Sequence, residues 1–588
     1  MRLEPNQFWT YWEWAFDQQG FLYGGILALI LAVLGFLVGY IVSTIKHGPA
    51  EGFLVVAKII GQLFTSDLPK MSPRRIFAMA KLSFKEAIRS RVLVVVAVFV
   101  VAIMFAGWFI DPKSDNPAQL YIPTVLFLTN MLVLLMGLFL STFSIPRDIS
   151  SKIIYTMVTK PVRPTEIFLG RVLGMIAVGT VTVSIFAVLS YFFITRGLQH
   201  THEIEVMPTE SVPGQTATYR LHSHTFTLDE QGEGVTDVVK GHRHIVKKEG
   251  DKLVVSSQIG DLEARNPIYG KLRFTGRDGE DSEGINVGNI SEYLKYVEGD
   301  TLASAIFTFN NVPKDLFENS VTFDMTLDAF RTYKGDIVTP VGGIYFFRSI
   351  DGSVETERFP FKVKEGAIDQ KTIALDIKSV DGKDINFFTD IAPEGNFELV
   401  IRCTDRGQYL GMAQGDLYLR AKEKSFEWNF TKGFISIWLQ MCIVICFGVM
   451  FSTFLSGPVA IVATLSVIVL GMFGWFLDDL TSGKLPGGGP VEAMIRLPLQ
   501  SGSATDLDLG SPVVENTIRA IDNGLLFSVG LLKNALPNLY DLGTTEFVTY
   551  GVNLFEGLLA RHLTIAFGYF MMTAIISYFF LKTREMAG

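Results

Sequence analysis

Residues 433–477 contain no Asp, Glu, Lys or Arg, and this charge-free run of 45 residues limits the possible fold more than any other feature. A membrane helix needs roughly 20 apolar residues to cross a hydrocarbon core about 30 Å thick. The run therefore predicts two membrane helices in succession. Gly457 and Pro458 mark the turn between them, because Gly permits a tight reversal and Pro cannot continue a helix.

Further charge-free runs occupy residues 21–45, 92–110, 120–144, 172–195 and 563–581. Together with the pair above they predict seven membrane spans. A long polar insert, residues 196–431, separates the fourth span from the fifth. The predicted fold class is thus an α-helical integral membrane protein of about seven transmembrane helices with an inserted all-β, sandwich-like extracytoplasmic domain. The net charge of −8 gives no indication of nucleic-acid binding.

Positive charge sets the predicted orientation, because Lys and Arg collect on the cytoplasmic side of a membrane. They are concentrated in residues 46–91, in residues 147–171 and after residue 581. Seven spans place all three segments in the cytoplasm if the N-terminus is outside and the C-terminus inside. Tryptophan prefers the membrane boundary, and in this arrangement the outer boundary holds Trp9, Trp12, Trp14, Trp108, Trp428, Trp438 and Trp475.

This orientation predicts a multi-pass protein of a bacterial inner or plasma membrane that contacts lipid along its spans. Residues 196–431 and 478–560 are then extracytoplasmic. The pattern leaves open whether residues 513–536 form a re-entrant segment or lie on the membrane surface.

Two segments that are predicted to be cytoplasmic have distinctive sequence patterns. Ser72-Pro73 begins an amphipathic helix expected to lie along the inner surface. The loop at residues 145–170 has a helix-compatible piece over 148–158, a break at 159–164 and a new helix near Thr165. Gly170 and Gly174 then form a small-xxx-small pair that permits close helix packing. A generic interfacial anchor and an ordinary positively charged loop are the alternative interpretations.

Three segments resemble permease subunits of ATP-binding-cassette (ABC) transporters of the type-2 membrane family. They are AKLSFKEAIRSRVL, SIPRDISSKIIYTMVTKPVRPTEIFLGRVLG and the closing LPNLYDLGT with FFLKTREMAG. The resemblance covers roughly residues 71–195 and 432–588, which it implies are the two halves of a permease. Residues 1–70, with an extra span, and the insert 196–431 depart from the family pattern.

The resemblance implies a permease that couples ATP hydrolysis by a separate cytoplasmic ATPase subunit to movement of an unknown substrate. It also implies a dimer with a second permease subunit and a short coupling helix that docks on the ATPase. The residues implied for that contact are Arg147, Asp148, Lys152, Tyr155, Lys160, Arg163 and Glu166.

Catalytic residues are not predicted in this chain. It contains no GxxxxGK[ST] phosphate loop, so any ATPase activity is expected in the partner subunit alone. The predicted spans also contain no Asp or Glu, which weakens the hypothesis of a proton-coupled carrier.

The insert predicts antiparallel β structure, because short alternating runs are separated by the turn pairs Asp278-Gly279, Asp351-Gly352 and Asp381-Gly382. It also contains three His-x-His pairs. If residues 216–228 and 238–248 form a hairpin centred near Glu233, cross-strand neighbours lie about 5 Å apart. His222 then faces His244, His224 faces His242, and the four imidazoles suit Zn²⁺ or Cu²⁺.

Two alternatives to this metal site remain open: the strands pair differently, or the histidines form a polar solvent face. For His200 and His202 the sequence predicts no role beyond an interfacial position. Two other functions also remain open for the whole chain. One is a non-transporting membrane anchor or receptor whose external domain binds a glycan, protein or metal. The other is a membrane enzyme with a metal centre at the histidines.

Overall fold

The computed structural model describes the chain with the exception of residues 1–9, 90–91, 110–116, 151–161, 210–211, 220, 230, 238, 251, 261, 288–293, 318–319, 333–339, 364–368, 423, 484, 486, 501, 503–510 and 584–588. Its α-helices are α1 Gly20–His47, α2 Pro49–Gln62, α3 Pro73–Arg89, α4 Val92–Phe109, α5 Ala118–Thr142, α6 Ser144–Ser150, α7 Pro164–Leu198, α8 Phe426–Phe454, α9 Gly457–Met472, α10 Gly474–Thr481, α11 Pro490–Leu499, α12 Pro512–Ala535, α13 Thr545–Thr549 and α14 Glu556–Thr583.

Within the described residues, five helical segments are long and apolar enough to cross a membrane, and two bent helix pairs raise the number to seven if each pair is one span. The five are Gly20–Ile45, Ala118–Asp148, Pro164–Leu198, Phe426–Phe454 and Glu556–Lys582. The bent pairs are Pro73–Arg89 with Val94–Phe105, at 51°, and Gly457–Met472 with Gly474–Thr481, at 67°. These helices agree with the seven apolar runs of the sequence. Helix α12 is not among the candidate spans.

The predicted break at Gly457 and Pro458 is present, because α8 ends at Phe454 and α9 begins at Gly457 with Pro in its first turn. Helix α7 is the longest helix described, with 35 residues. At 1.5 Å per residue it is about 52 Å long, which exceeds a hydrocarbon core of about 30 Å. Helix α7 is therefore long enough to extend past the apolar layer of a bilayer that it crosses.

The strands follow α7 and precede α8. They are β1 Ile204–Val206, β2 Gly214–Thr216, β3 Thr225–Phe226, β4 Glu233–Val235, β5 Ile245–Glu249, β6 Lys252–Val255, β7 Asn266–Tyr269, β8 Lys271–Thr275, β9 Asp281–Ser282, β10 Lys295–Glu298, β11 Ser304–Phe309, β12 Ser320–Met325, β13 Asp328–Arg331, β14 Gly342–Ser349, β15 Phe359–Lys362, β16 Asp369–Ala374, β17 Asp376–Lys378, β18 Asp384–Asn386, β19 Phe397–Cys403, β20 Gln408–Met412 and β21 Leu417–Ala421.

The chain divides into two compact units. The first holds residues 262–429 and 550–553, and its strands form antiparallel sheets in the orders β15-β14-β19-β11-β8-β9, β16-β12-β21-β7, β10-β20-β13 and β17-β18. Alternate side chains of β19 enter an aromatic core, where Phe397, Leu399 and Ile401 pack with Phe307 and Phe347. The predicted turns carry Gly at positive φ, as at Gly279 (+85°), where an L side chain would be strained.

The second unit holds residues 10–261, 430–549 and 554–588, which include the long helices together with strands β1–β6. This division differs from the expected one at two places. Residues 550–553 belong to the first unit, although they were expected in the second permease half. The part of the insert up to residue 261 groups with the helices, whereas the remainder forms the β unit.

Glu398 lies on the face of the six-stranded sheet opposite the aromatic core. Its carboxylate is buried and accepts hydrogen bonds from Arg273 at 2.9 Å and Arg348 at 2.5 Å. Burial alone would raise the pKa of Glu398, but the hydrogen bonds and charges of the two arginines outweigh it and hold the pKa below its usual range. The charged carboxylate therefore stabilises this sheet.

We predict that Glu398→Gln destabilises the β unit by about 2 kcal/mol at neutral pH, since removing one partner leaves a partly buried charge unpaired. Because the folded pKa is lowered, this stabilisation is present at neutral pH and is lost as the pH falls through the folded value. The difference between the two proteins should therefore narrow in acid. Hydrogen exchange of β11, β14 and β19 amides in the full chain measures it.

The matched control is Asp281→Asn, because Asp281 pairs with the same Arg273 at 3.1 Å through a carboxylate that is 86% exposed. An exposed pair contributes about 0–1 kcal/mol, so exchange should change little. Equal effects of the two substitutions would contradict the assignment of Glu398 as a stabilising buried charge.

Candidate metal centre and charged helix base

Three short β repeats follow α7 directly, and each begins with a His-x-His pair. We call this region, residues 200–260, the histidine module. Thr216, Thr236 and Ser256 stand 20 residues apart and mark the same place in successive repeats. The Thr216 hydroxyl accepts the His224 N–H at 2.8 Å, and the Thr236 hydroxyl accepts the His244 N–H at 2.9 Å. Each repeat is thus joined to the histidine pair of the next.

Tight turns place the second and third pairs. Tyr219 and His222 exchange backbone hydrogen bonds of 2.9 and 3.1 Å, and Val239 does the same with His242 at 3.0 and 3.2 Å. The turn before His242 places Lys240 and Gly241 at φ +52° and +82°, the conformation of a two-residue type I′ hairpin. The chain therefore reverses immediately before each of these pairs.

Backbone carbonyls fix the second histidine of each pair. A carbonyl oxygen only accepts hydrogen bonds, so the ring Nδ1 must carry a proton, and in the neutral ring Nε2 then carries the lone pair. The Nδ1 donors and carbonyl acceptors are His202 to Ala217 at 2.9 Å, His224 to Asp237 at 3.0 Å and His244 to Ser256 at 2.8 Å. The same arrangement in all three repeats directs three Nε2 lone pairs to one centre.

The six imidazole rings lie at the corners of an octahedron. Every ring centroid is 4.7–5.3 Å from the centroids of four other rings, and adjacent rings meet at interplanar angles of 67–88°. There are twelve adjacent pairs among the six rings, so each ring has four adjacent rings and one ring opposite to it. The opposite pairs are His200 with His224, His202 with His242, and His222 with His244.

The Nε2 atoms face one another inside this octahedron. His222 Nε2 lies 3.2 Å from Nε2 of both His200 and His202 and 3.1 Å from that of His242. His224 Nε2 lies 3.3 Å from His242 Nε2. Nε2 of the buried His244 has no hydrogen-bond partner among the described residues. A buried nitrogen in this state is costly unless a cation or donor satisfies it.

Burial also lowers the pKa of His202, His224 and His244, in the last case to about 4. Removal of the imidazolium from water is the main cause, and it outweighs the backbone carbonyls that favour the protonated form. These three rings are therefore neutral at pH 7. Neutral imidazole is the form that binds a metal ion.

The four predicted histidines all belong to this cluster of rings, but the predicted strand register is wrong. Phe226 pairs with Thr236, and Glu233 pairs with Lys247 in a different hairpin, so Glu233 is not a hairpin centre. The expected register assumed one long hairpin, whereas the turn before His242 divides this stretch between two repeats.

Because the register differs, the histidine rings also occupy positions different from those predicted. His224 and His242 are adjacent, with centroids 5.0 Å apart, but His222 and His244 occupy opposite corners instead of facing each other as cross-strand neighbours. His200 and His202 complete the octahedron, a role that the sequence reasoning missed. The 20-residue spacing of the Thr/Ser positions was the available signal, since it shows that three repeats are present.

A second candidate site lies where α3 packs against the N-terminal end of α7. The buried Glu166 carboxylate accepts hydrogen bonds from the backbone N–H of Ser72 at 2.9 Å and of Arg163 at 3.0 Å. The Arg75 guanidinium also donates to it at 2.7 Å. Glu166 therefore connects the start of α3 to the start of α7.

Arg171 makes the next connection, one turn further along α7. Its buried guanidinium pairs with Glu86 of α3 at 2.5 Å and with the buried Asp148 of α6. Three helices thus meet at one guanidinium. Breaking a buried ion pair typically costs about 3–5 kcal/mol because a charge is left unpaired.

Asp67 extends the same network to the end of α14. Its carboxylate accepts hydrogen bonds from the Tyr578 hydroxyl at 2.8 Å and Lys582 Nζ at 3.0 Å, and it lies 3.3 Å from Arg163. We call the whole set the charged helix base; it comprises Asp67, Arg75, Glu86, Asp148, Arg163, Glu166, Arg171 and Lys582.

The residues implied for ATPase contact differ in their exposure and in their partners. Asp148 and Glu166 are buried in the charged helix base, and Arg163 is tied to Asp67. Arg147 has a side chain that is 55% exposed and lies 3.9 Å from Glu86. Lys152, Tyr155 and Lys160 lie outside the described residues.

Comparisons of the chain with protein-family models, curated proteins and solved structures found no match.

We predict that Gly174→Leu separates α3 from α7. A Cβ at this position would lie 2.5 Å from the Ala80 carbonyl oxygen and 2.6 Å from Ser83 Cβ. Overpacking of this kind costs about 1–3 kcal/mol, so the unfolding temperature of the purified chain should fall. Gly568→Leu is the control, because a Cβ there meets nothing within 4 Å. An unchanged unfolding temperature for Gly174→Leu would refute the close packing.

Proposed function

We propose that this chain is the membrane-spanning permease subunit of an ABC transporter. It works with a cytoplasmic ATPase subunit and a second permease subunit, and it couples ATP hydrolysis to movement of a substrate across the membrane. The charged helix base is the observation that carries this proposal. The resemblance of residues 145–170 to the coupling loop of ABC permeases supports it.

A coupling loop has to pass a displacement to the helices that line a transport path. Ion pairs hold the described residues on either side of 151–161. Asp148, before this segment, pairs with Arg171, and Glu166, after it, is bound by Arg75. A displacement of the segment would therefore act on α3 and α7 together, and through Asp67 on the end of α14.

The same contacts divide the implied ATPase residues into two groups. Asp148, Arg163 and Glu166 position the loop, because their side chains bind other parts of this chain. The proposal assigns direct ATPase contact to Arg147, Lys152, Tyr155 and Lys160.

The length of α7 fits the proposed orientation. Its N-terminal end carries the charged helix base and its C-terminal end leads into the histidine module two residues later. Since α7 is longer than an apolar bilayer core, these polar features can occupy opposite sides of the membrane. The proposal places the charged helix base in the cytoplasm and the histidine module, with the β unit, outside.

A non-transporting membrane receptor is the second candidate function. It is favoured by the β unit, whose sheets share an extensive aromatic core of their own, as an external domain that folds independently requires. In that case the external sheets bind a ligand and the helices act as an anchor. The charged helix base would then serve only to hold the helices together.

We predict that the double substitution Lys152→Glu and Lys160→Glu releases an ATPase that copurifies with the unsubstituted chain. Charge reversal at two predicted contact positions replaces attraction by repulsion, while the ion pairs of the charged helix base are untouched. Arg163→Glu is less informative, because Arg163 pairs with Asp67 inside this chain. Crosslinking of native membranes followed by mass spectrometry identifies the partner.

The control is Lys314→Glu, an exposed lysine of the β unit that the proposal places on the opposite side of the membrane. It should leave the complex intact. Two results would count against the permease function and favour the receptor. Either no ATPase copurifies with the unsubstituted chain, or the unsubstituted chain, the double variant and the control all retain an ATPase equally.

A further inference from the structure

We propose that the six histidines of the histidine module form a six-coordinate site for one divalent first-row transition-metal ion, with Ni²⁺, Co²⁺ and Fe²⁺ as the fitting ions. The ligands are His200, His202, His222, His224, His242 and His244. This proposal rests on the geometry of the module and does not depend on the permease function.

The spacing of the nitrogen atoms supports six-coordination. Metal–imidazole bonds are about 2.0–2.1 Å long, and two adjacent ligand atoms of an octahedron are then about 3 Å apart. Four adjacent pairs of Nε2 atoms in the module are 3.1–3.3 Å apart: His222 with His200, His202 and His242, and His224 with His242. The ring arrangement has the same symmetry, since each ring has four adjacent rings and one opposite.

The ligand chemistry narrows the choice of ion. All six ligands are imidazole nitrogens, which suit Fe, Ni, Cu and Zn, whereas Mg²⁺ and Ca²⁺ prefer oxygen ligands. A structural Zn²⁺ site takes four tetrahedral ligands, and Cu²⁺ prefers tetragonal geometry. Six equivalent corners therefore favour the octahedral dications over the Zn²⁺ or Cu²⁺ expected from four histidines.

Each repeat contributes two adjacent ligands, and each opposite pair joins two different repeats. An ion would therefore hold all three repeats at once, and binding would be coupled to folding of the module. His200 is two residues beyond the end of α7 at Leu198, and its Nδ1 lies 2.8 Å from the Leu198 carbonyl oxygen. The ion would thus fasten the module to the end of this helix.

Six protein ligands fill the coordination sphere. Catalytic metal sites keep a position open for water or substrate, whereas structural sites are closed. The inferred centre is accordingly structural, which disfavours the hypothesis of a membrane enzyme acting at these histidines.

The experiment uses the full chain purified in detergent, stripped with a chelator and incubated with Ni²⁺, Co²⁺ or Zn²⁺ in turn. After desalting, mass spectrometry of the metal content should give one Ni²⁺ per chain. X-ray absorption at the nickel edge should show six nitrogen donors with imidazole scattering. Absence of bound metal, or a site with five or fewer histidine donors, would overturn the proposal.

Single substitutions test whether His200 and His202 are ligands in addition to the four histidines expected from the sequence. His200→Gln and His202→Gln should each weaken Ni²⁺ binding at least about tenfold, since even a residue that only supports a ligand contributes about that much. A site built from His222, His224, His242 and His244 alone would bind as before, and this result would refute the octahedron. His47→Gln is the control and should leave binding unchanged. If a ligand substitution unfolds the module, the absorption spectrum of the unsubstituted chain decides.

Discussion

The packing of α7 against α3 is the interaction on which most of the helical unit depends. Gly170 and Gly174 let the two helices approach closely, and this approach brings Arg171 between Glu86 and Asp148. Burial of these charges is tolerable only because they meet as partners. The close packing and the ion pairs therefore act together, and they hold the described residues on either side of the segment that we propose contacts an ATPase.

The other end of α7 meets a different physical problem. Six imidazoles are gathered in one place, and three of them are directed inward by hydrogen bonds to backbone carbonyls. Without a cation, inward lone pairs repel one another and burial offers no compensation. A bound dication would convert this arrangement into a cross-link among the three repeats. One helix thus joins a charged network at one end to the inferred metal centre at the other.

The sequence predicted the long helices well, because a charge-free run of 20 residues has few alternatives to a membrane span. It also predicted antiparallel β structure in the insert and turns with glycine at Gly279, Gly352 and Gly382, all of which have positive φ. It failed at the histidine module, because strand register depends on turns, and the turn before His242 was not recognised. The burial of Asp148 and Glu166 was also missed. Arg171, the partner of Asp148, lies on the next helix, and Arg75, the partner of Glu166, is distant in sequence.

Opposite exposure of the two ends of α7 is the central claim, because the proposed ATPase contact and the external domain both require it. Cysteines introduced by Val162→Cys and Glu205→Cys flank this helix, and a membrane-impermeant thiol reagent can be applied to intact spheroplasts. The account predicts labelling at residue 205 in intact spheroplasts and at residue 162 only after permeabilisation. Labelling of residue 162 from outside, or of both residues from the same side, would contradict it.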